Sequence, residues 1–183
     1  QPQDVVGWTL FGAHTDSPNL RLRPNPVIKR HGYFQLGLEV YGGALYAPWF
    51  DRELSIAGRV AIANGGAVIS ELFDLRRPLG MIPSLAIHLD RDANTGRKVN
   101  PHDELVMLIG RAESDAEFDF KRWLAEQMDR TEADISAFEL CASPVEAATL
   151  AGLEGEFLLS ARLDNLLSCY VSVEALIAND SAD

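Results

Sequence analysis

The sequence predicts two α/β pieces at its ends flanking an inserted, β-rich α+β segment. Three observations point there. Residues 5–12 are apolar or small throughout and stop in a polar run, Ala13-His14-Thr15-Asp16-Ser17-Pro18. Phe157-Leu158-Leu159 leads through Asp164 into an apolar stretch of helical character. Between these ends, alternation at period two dominates. Strands that end in polar turns, and strands that feed helices, are where α/β sheets place their sites. The boundaries read this way are 1–18 and 151–183 for the outer pieces and 19–150 for the insertion.

Each element has its own signal. Val5 to Gly12 reads as a buried strand. Residues 19–29 read as extended structure or an edge strand, because Pro24 and Pro26 cannot donate to a ladder. Phe34, Leu36, Leu38 and Val40 alternate strictly, the pattern of a half-buried strand, and Gly42-Gly43 ends it. Leu54–Ile62 and Ala67–Leu75 flank Asn64-Gly65-Gly66, a hairpin signal. Leu85–Leu89 reads as another short strand. Over 113–130 the period changes: Phe118, Trp123, Leu124 and Met128 fit one helical face. Ile135–Cys141 returns to a strand pattern. A helix is expected from Asp164 to Ile177, stopped by Asn179-Asp180-Ser181. No repeat or low-complexity segment is present.

With 183 residues, 47% of them hydrophobic and 23% charged, the chain has globular composition. A chain of this length buries roughly 70% of its unfolded surface. No stretch approaches the ~20 apolar residues of a membrane span. The first twelve residues lack the basic-then-apolar pattern of a secretory leader. Two cysteines, Cys141 and Cys169, cannot staple a fold of this size and suggest a reducing compartment; a cytoplasmic protein is expected. The net charge of −11 argues against sequence-independent binding to nucleic acid, which requires cations against phosphates. That charge is local. Arg111 to Glu156 holds 12 acidic and 4 basic residues, whereas the first thirty residues are net +2.

His14 and Asp16 form a His-x-Asp pair after an apolar run. A carboxylate two residues from a histidine can take its second ring N–H and leave the other nitrogen for a metal. The plain alternative is a turn built by Asp16 before Ser17-Pro18. Asp164 stands where a strand meets a helix, as an N-cap or as a metal-bridging carboxylate. His88, in Leu85-Ala86-Ile87-His88-Leu89, reads as a structural histidine of an apolar strand. His31 and His102 lie in polar loops. Trp49-Phe50-Asp51-Arg52 is a compact aromatic and charged cluster, either a local ion pair under an aromatic cover or a contact surface. Cys169 reads as a buried, inert helix residue, and Cys141 lacks the neighbouring base of a nucleophile. There is no glycine-rich phosphate loop and no Cys-x-x-Cys pair.

Taken together, several of these stretches resemble one family. Gly12-Ala13-His14-Thr15-Asp16-Ser17-Pro18 is similar to the first metal motif of the aspartyl aminopeptidases, which are cytosolic zinc exopeptidases. Tyr41-Gly42-Gly43, Trp49-Phe50-Asp51-Arg52-Glu53-Leu54 and Ala57-Gly58-Arg59-Val60 resemble its middle domain. Ile82-Pro83-Ser84-Leu85-Ala86-Ile87-His88-Leu89 resembles its histidine segment. Phe138-Glu139-Leu140 and Ala161-Arg162-Leu163-Asp164-Asn165-Leu166 complete the order. The resemblance covers essentially the whole chain.

The resemblance implies a zinc-exopeptidase α/β catalytic domain interrupted by a dimerisation domain over about 19–150. It implies His14 as a zinc ligand and Asp164 as the bridge between two zinc ions. It implies Asp16 orienting His14, and His88 acting on substrate in the neighbouring subunit. Peptide substrates, dimers and tetrahedral dodecamers come with it. Members of the family continue with a Glu-Glu pair, a further Asp and a final His, which this chain does not hold, so a piece of a longer protein is expected. Three readings of function result: part of an aminopeptidase for N-terminal Asp or Glu, a non-catalytic assembly module, or a related dizinc peptidase with neutral specificity.

Overall fold

A computed structural model describes residues 7–179. The chain divides into two compact units. One runs Pro18–Glu146; the other joins the segment ending at Ser17 to the chain from Ala147 onward.

The larger unit is a six-stranded sheet in which every pairing is antiparallel. Its strands are β1 (Asn19–Arg30), β2 (Tyr33–Tyr41), β3 (Leu54–Asn64), β4 (Ala67–Asp74), β5 (Val106–Arg111) and β6 (Ile135–Pro144), in the order β4-β3-β6-β1-β2-β5. The strict alternation read at 34–40 puts Leu36 and Leu38 at full burial. Leu54, Ile56, Val60 and Ile62 do the same on β3, so period two selects one face for the core. The expected hairpin is present: Asn64 pairs with Ala67, leaving Gly65 and Gly66 as a two-residue turn. Both have positive φ, 56° and 92°, which glycine adopts without a Cβ penalty and which matches the strand twist.

Strand β1 is interior, contrary to the edge reading suggested by its prolines. It pairs with β2 on one side and, through Leu20 and Arg21 only, with β6 on the other. Pro24 and Pro26 fall where the β1–β2 register shifts between Leu22 and Val27. A missing N–H costs little at such an irregularity, so the prolines are accommodated inside the sheet.

The helical segment is shorter than its periodicity suggested. Helix α2 covers Phe120–Gln127 because Asp119 caps it, accepting from the Arg122 N–H at 3.0 Å. Phe120 and Leu124, one turn apart, face the core. Phe118 precedes the helix and packs against Phe34 and Trp123, at ring-centroid distances of 5.7 and 6.3 Å. A second helix, α1 (Pro101–Glu104), is a single turn leading into β5.

Among the described residues, two expected strands are absent. Residues 7–12 are irregular and exposed, with Trp8, Leu10 and Phe11 at 75% or more; Val5 and Val6 lie outside the described residues. Leu85–Leu89 is a loop ending in a turn, in which Leu89 and Asp90 donate to the Ala86 carbonyl at 2.8 and 3.2 Å. In both cases an apolar pattern is present but no described strand pairs with it, and a strand requires a partner for its ladder.

The smaller unit contains the hairpin β7 (Thr149–Ala151) and β8 (Phe157–Leu159) and helix α3 (Leu163–Ala178). The strand–helix passage expected at 157–164 is present. Helix α3 is predominantly apolar and has no buried residue, with Leu166, Leu167, Val171, Val173, Leu176 and Ile177 all exposed.

At Gly58 on β3, an added Cβ would strike the Glu139 carbonyl oxygen of β6, whereas at Gly43 it would meet nothing. Gly58→Ala is therefore expected to destabilise the chain by about 1–3 kcal/mol, the cost of overpacking. Gly43→Ala should leave it near wild type. Urea denaturation of the two variants side by side checks this.

Candidate metal centre

His14 follows the irregular apolar segment, and its ring is fixed from one side. Nδ1 lies 2.9 Å from the Asp16 carbonyl oxygen and 3.2 Å from Asp16 Oδ1. Both oxygens are acceptors, so Nδ1 donates and the neutral imidazole carries its lone pair on Nε2. Nε2 faces Asp164, with Oδ1 3.8 Å away. The His-x-Asp geometry therefore does what its spacing offers: it engages one nitrogen and leaves the other toward a second donor.

Asp164 occupies an elbow between β8 and the regular part of α3. Arg162 sits in the left-handed region at φ 62°, an uncommon conformation for a non-glycine residue. Asp164 itself is extended, at φ −88° and ψ 107°, and its peptide bond to Asn165 is cis. The helical pattern begins only after Asn165. The carboxylate is 91% exposed and faces the imidazole.

Two backbone ties hold the His14 turn to this elbow, and the sequence reading attached neither to the site. The Ser17 hydroxyl donates to the Asp164 carbonyl at 2.9 Å, and Ser17 is buried. The Cys169 thiol donates to the His14 carbonyl at 3.2 Å. Cys169 is half-buried rather than buried and inert, and it tethers the metal-motif loop from one turn into α3. The hydroxyl of a Ser-Pro turn and a helical cysteine give no signal in a one-dimensional pattern, because their partners lie about 150 residues away. Cys141 is a different case: burial pushes its thiol above the ordinary value and keeps it protonated.

His14 and Asp164 match zinc in kind, an imidazole nitrogen and a carboxylate oxygen, but not in number, since zinc takes three or four protein ligands. Among the described residues no three His, Cys, Asp or Glu side chains converge on one point.

His88 belongs to the larger unit. It is exposed in the 86–90 turn rather than on an apolar strand, and Leu85, Ile87 and Leu89 beside it are more than half exposed. The Trp49–Arg52 cluster supports this loop locally. Asp51 N–H donates to the Ile82 carbonyl at 2.9 Å, and Asp51 Oδ1 accepts from the Ser84 N–H at 2.8 Å. Arg52 binds Glu146 at 2.7 Å and the Pro48 carbonyl at 3.1 Å. His31 and His102 are exposed, as expected.

An imidazole oriented by a carboxylate and facing a second carboxylate at a strand–helix elbow has the donor chemistry of the zinc-dependent hydrolases. The chain belongs to the M18 aminopeptidase family: the model for aminopeptidase I zinc metalloproteases (M18) matches residues 3–183. A probable M18 family aminopeptidase 2 of Azotobacter vinelandii is 50% identical over 177 residues, covering 94% of this chain and 41% of that protein. The solved structure of an Ape4 and Nbr1 complex aligns at 37% identity with a TM-score of 0.84, over 93% of this chain and 36% of that one. Chaetomium thermophilum mApe1 aligns at 29% identity with a TM-score of 0.79, over 90% and 40%. The chain spans about two fifths of the length of the curated relatives it matches. The family expected from the sequence is thus borne out, as is its mixed α/β fold.

The Ser84 amide holds the Asp51 carboxyl below its ordinary value of 3.8. A folded-state pKa below the unfolded one means that the tether contributes above about pH 3.8 and is lost as the pH falls through the lower folded value. The Ser84 amide resonance should therefore titrate with a midpoint below 3.8, and Asp51→Asn should abolish that titration in an NMR pH series.

Proposed function

We propose that this chain is part of a zinc-dependent aminopeptidase that removes N-terminal residues, acidic ones (Asp or Glu) by preference, from peptides. The observation that carries this reading is the facing pair of His14 Nε2 and Asp164 Oδ1, with His14 Nδ1 engaged by Asp16. Family membership supports it.

In this reading His14 and Asp164 would hold zinc, two ions in the complete site. Zinc, when bound, supplies the Lewis acid that polarises a peptide carbonyl. Asp16 keeps the His14 tautomer fixed and its Nε2 lone pair available. Ser17 and Cys169 hold the two ligand-bearing segments together through their backbones. His88 binds substrate or stabilises the transition state in the neighbouring subunit, and the insertion read at 19–150 is the dimerisation domain, within an assembly that extends to a dodecamer. The remaining ligands and the general base, a glutamate, come from sequence outside this chain. The uncovered apolar side chains of α3 support that part of the reading, since a large exposed apolar patch marks a surface that another element covers. The expected location is the cytoplasm.

Acidic specificity requires a cation in the first specificity pocket, and no Lys or Arg of this chain is assigned to it. A second reading, in which the isolated chain serves only as an assembly module, is favoured by one observation: the buried hydrophobic core lies in the larger unit.

The purified 183-residue chain should not turn over an N-terminal aspartyl peptide, while the full-length protein should. In the full-length protein, His88→Ala should lower kcat/KM on the order of 10²-fold, as loss of a transition-state donor does, with zinc content unchanged. His14→Ala should lower zinc content itself. Peptidase assays paired with elemental analysis decide both; loss of zinc in His88→Ala would place that residue in the metal site instead.

A further inference from the structure

His88 stands on a loop with no strand or helix of its own. From Pro83 to Val99 the backbone is irregular, and its apolar side chains Leu85, Ile87 and Leu89 are exposed. A segment of this length whose apolar side chains are exposed does not hold one conformation unless specific bonds close it. Its entry is closed by Asp51, through Ile82 and Ser84. Its exit is closed differently.

Arg97 makes three contacts there. Nε lies 3.2 Å from Asp90 Oδ2, and a terminal nitrogen lies 2.6 Å from Glu104 Oε2. The guanidinium carbon sits 4.8 Å from the centre of the Phe50 ring. The Arg97–Asp90 pair has side chains only 20% and 17% exposed, the most enclosed ion pair among the described residues. Each partner leads somewhere definite. Asp90 closes the 86–90 turn, two residues from His88. Glu104 is held by the Asn100 N–H at 2.7 Å in α1, which runs into β5 of the sheet. Phe50 bridges to Ile82 at the loop's entry. The Asp92 carbonyl accepts the N–H groups of Thr95, Gly96 and Arg97, all at 3.0 Å, and folds the chain back so that the guanidinium reaches Asp90.

We propose that Arg97 is a positioning residue for His88: by joining Asp90 of the histidine turn to Glu104 of the sheet-anchored helix, it sets where the imidazole stands. This rests on the proposed role of His88. Without the guanidinium, Asp90 and Glu104 would be two carboxylates with no cation between them, and partly enclosed pairs resist the loss of one partner. A lysine keeps the charge but not the fork that meets two carboxylates and stacks on a ring. Arg97 acts through His88 and is not itself a catalytic residue.

The test uses the full-length enzyme with Arg97→Met, Arg97→Lys, Asp90→Asn and His88→Ala, and with Arg97→Met/His88→Ala combined. Arg97→Met should lower kcat ~10²-fold, the scale of a displaced catalytic group, with zinc content and subunit assembly unchanged. Hydrogen exchange should speed up in the 84–97 segment and not elsewhere. Arg97→Lys should recover part of the loss. In the His88→Ala background, Arg97→Met should cost nothing further. An Arg97→Met enzyme with normal kcat, or one whose loss is undiminished without His88, overturns the proposal. If Arg97→Met fails to fold, Asp90→Asn, which keeps the Arg97–Glu104 pair, carries the same comparisons. A fully active His88→Ala enzyme sinks the role of His88 and the proposal together, whereas a crippled His88→Ala beside an active Arg97→Met sinks the positioning role alone.

Discussion

The pairing of β6 with β3 is the constraint on which the larger unit depends. These strands run in register from Leu54 opposite Pro144 to Ile62 opposite Ile135, with one irregularity after Ala61. Ladder bonds satisfy their backbones while Leu54, Ile56, Val60, Leu140 and Ile135 fill the core from one face. The approach is close enough that position 58 has no room for a side chain. Other strands attach to this pair: β4 by a ladder along β3 from Ala57 opposite Asp74 to the glycine turn, and β1 by two residues, Leu20 and Arg21. Since β1 carries β2, and β2 carries β5, that short contact, reinforced by the Arg21–Glu139 ion pair beside it, is one of two links to half of the sheet; the other is the segment at Gly80 and Met81, which bridges Leu54 of β3 and Leu108 of β5.

The candidate metal centre follows a different logic. Its two donors are exposed and gain little from packing. Their meeting depends on local backbone geometry, an elbow with a left-handed residue, and on side chains that bond to the opposite backbone. Ser17 and Cys169 bond to carbonyls rather than to the His14 ring or the Asp164 carboxylate. A candidate site assembled from two segments about 150 residues apart needs ties of this kind.

The His88 loop shows why periodicity misleads when no partner strand is near. Leu85, Ile87 and Leu89 alternate as well as Leu36 and Leu38 do, yet only the second pair lies between neighbours that complete its ladder. The same holds for residues 7–12. Alternation records a side-chain preference, whereas a strand is a property of two segments. The prolines of β1 misled in the opposite sense: they signal a missing donor, and a bulge absorbs that as readily as an edge does. The start of the helix within 113–130 was visible in principle, because Asp119 is an N-capping residue, but Phe118 matched the helical face and masked it.

The sequence alone determined the order of the motifs and hence the family, because these are properties of residue identity and spacing. It also determined the β-hairpin at Gly65-Gly66, whose turn is closed locally. Only the tertiary structure decided that Nε2 of His14, not Nδ1, is the nitrogen left for a second donor, and that Asp164 serves as an extended elbow residue facing it. The same is true of the ties from Ser17 and Cys169 and of the Asp90–Arg97–Glu104 connection. Each of these depends on the direction of a side chain relative to a segment distant in sequence or across a loop, and direction in space is not encoded by spacing along the chain.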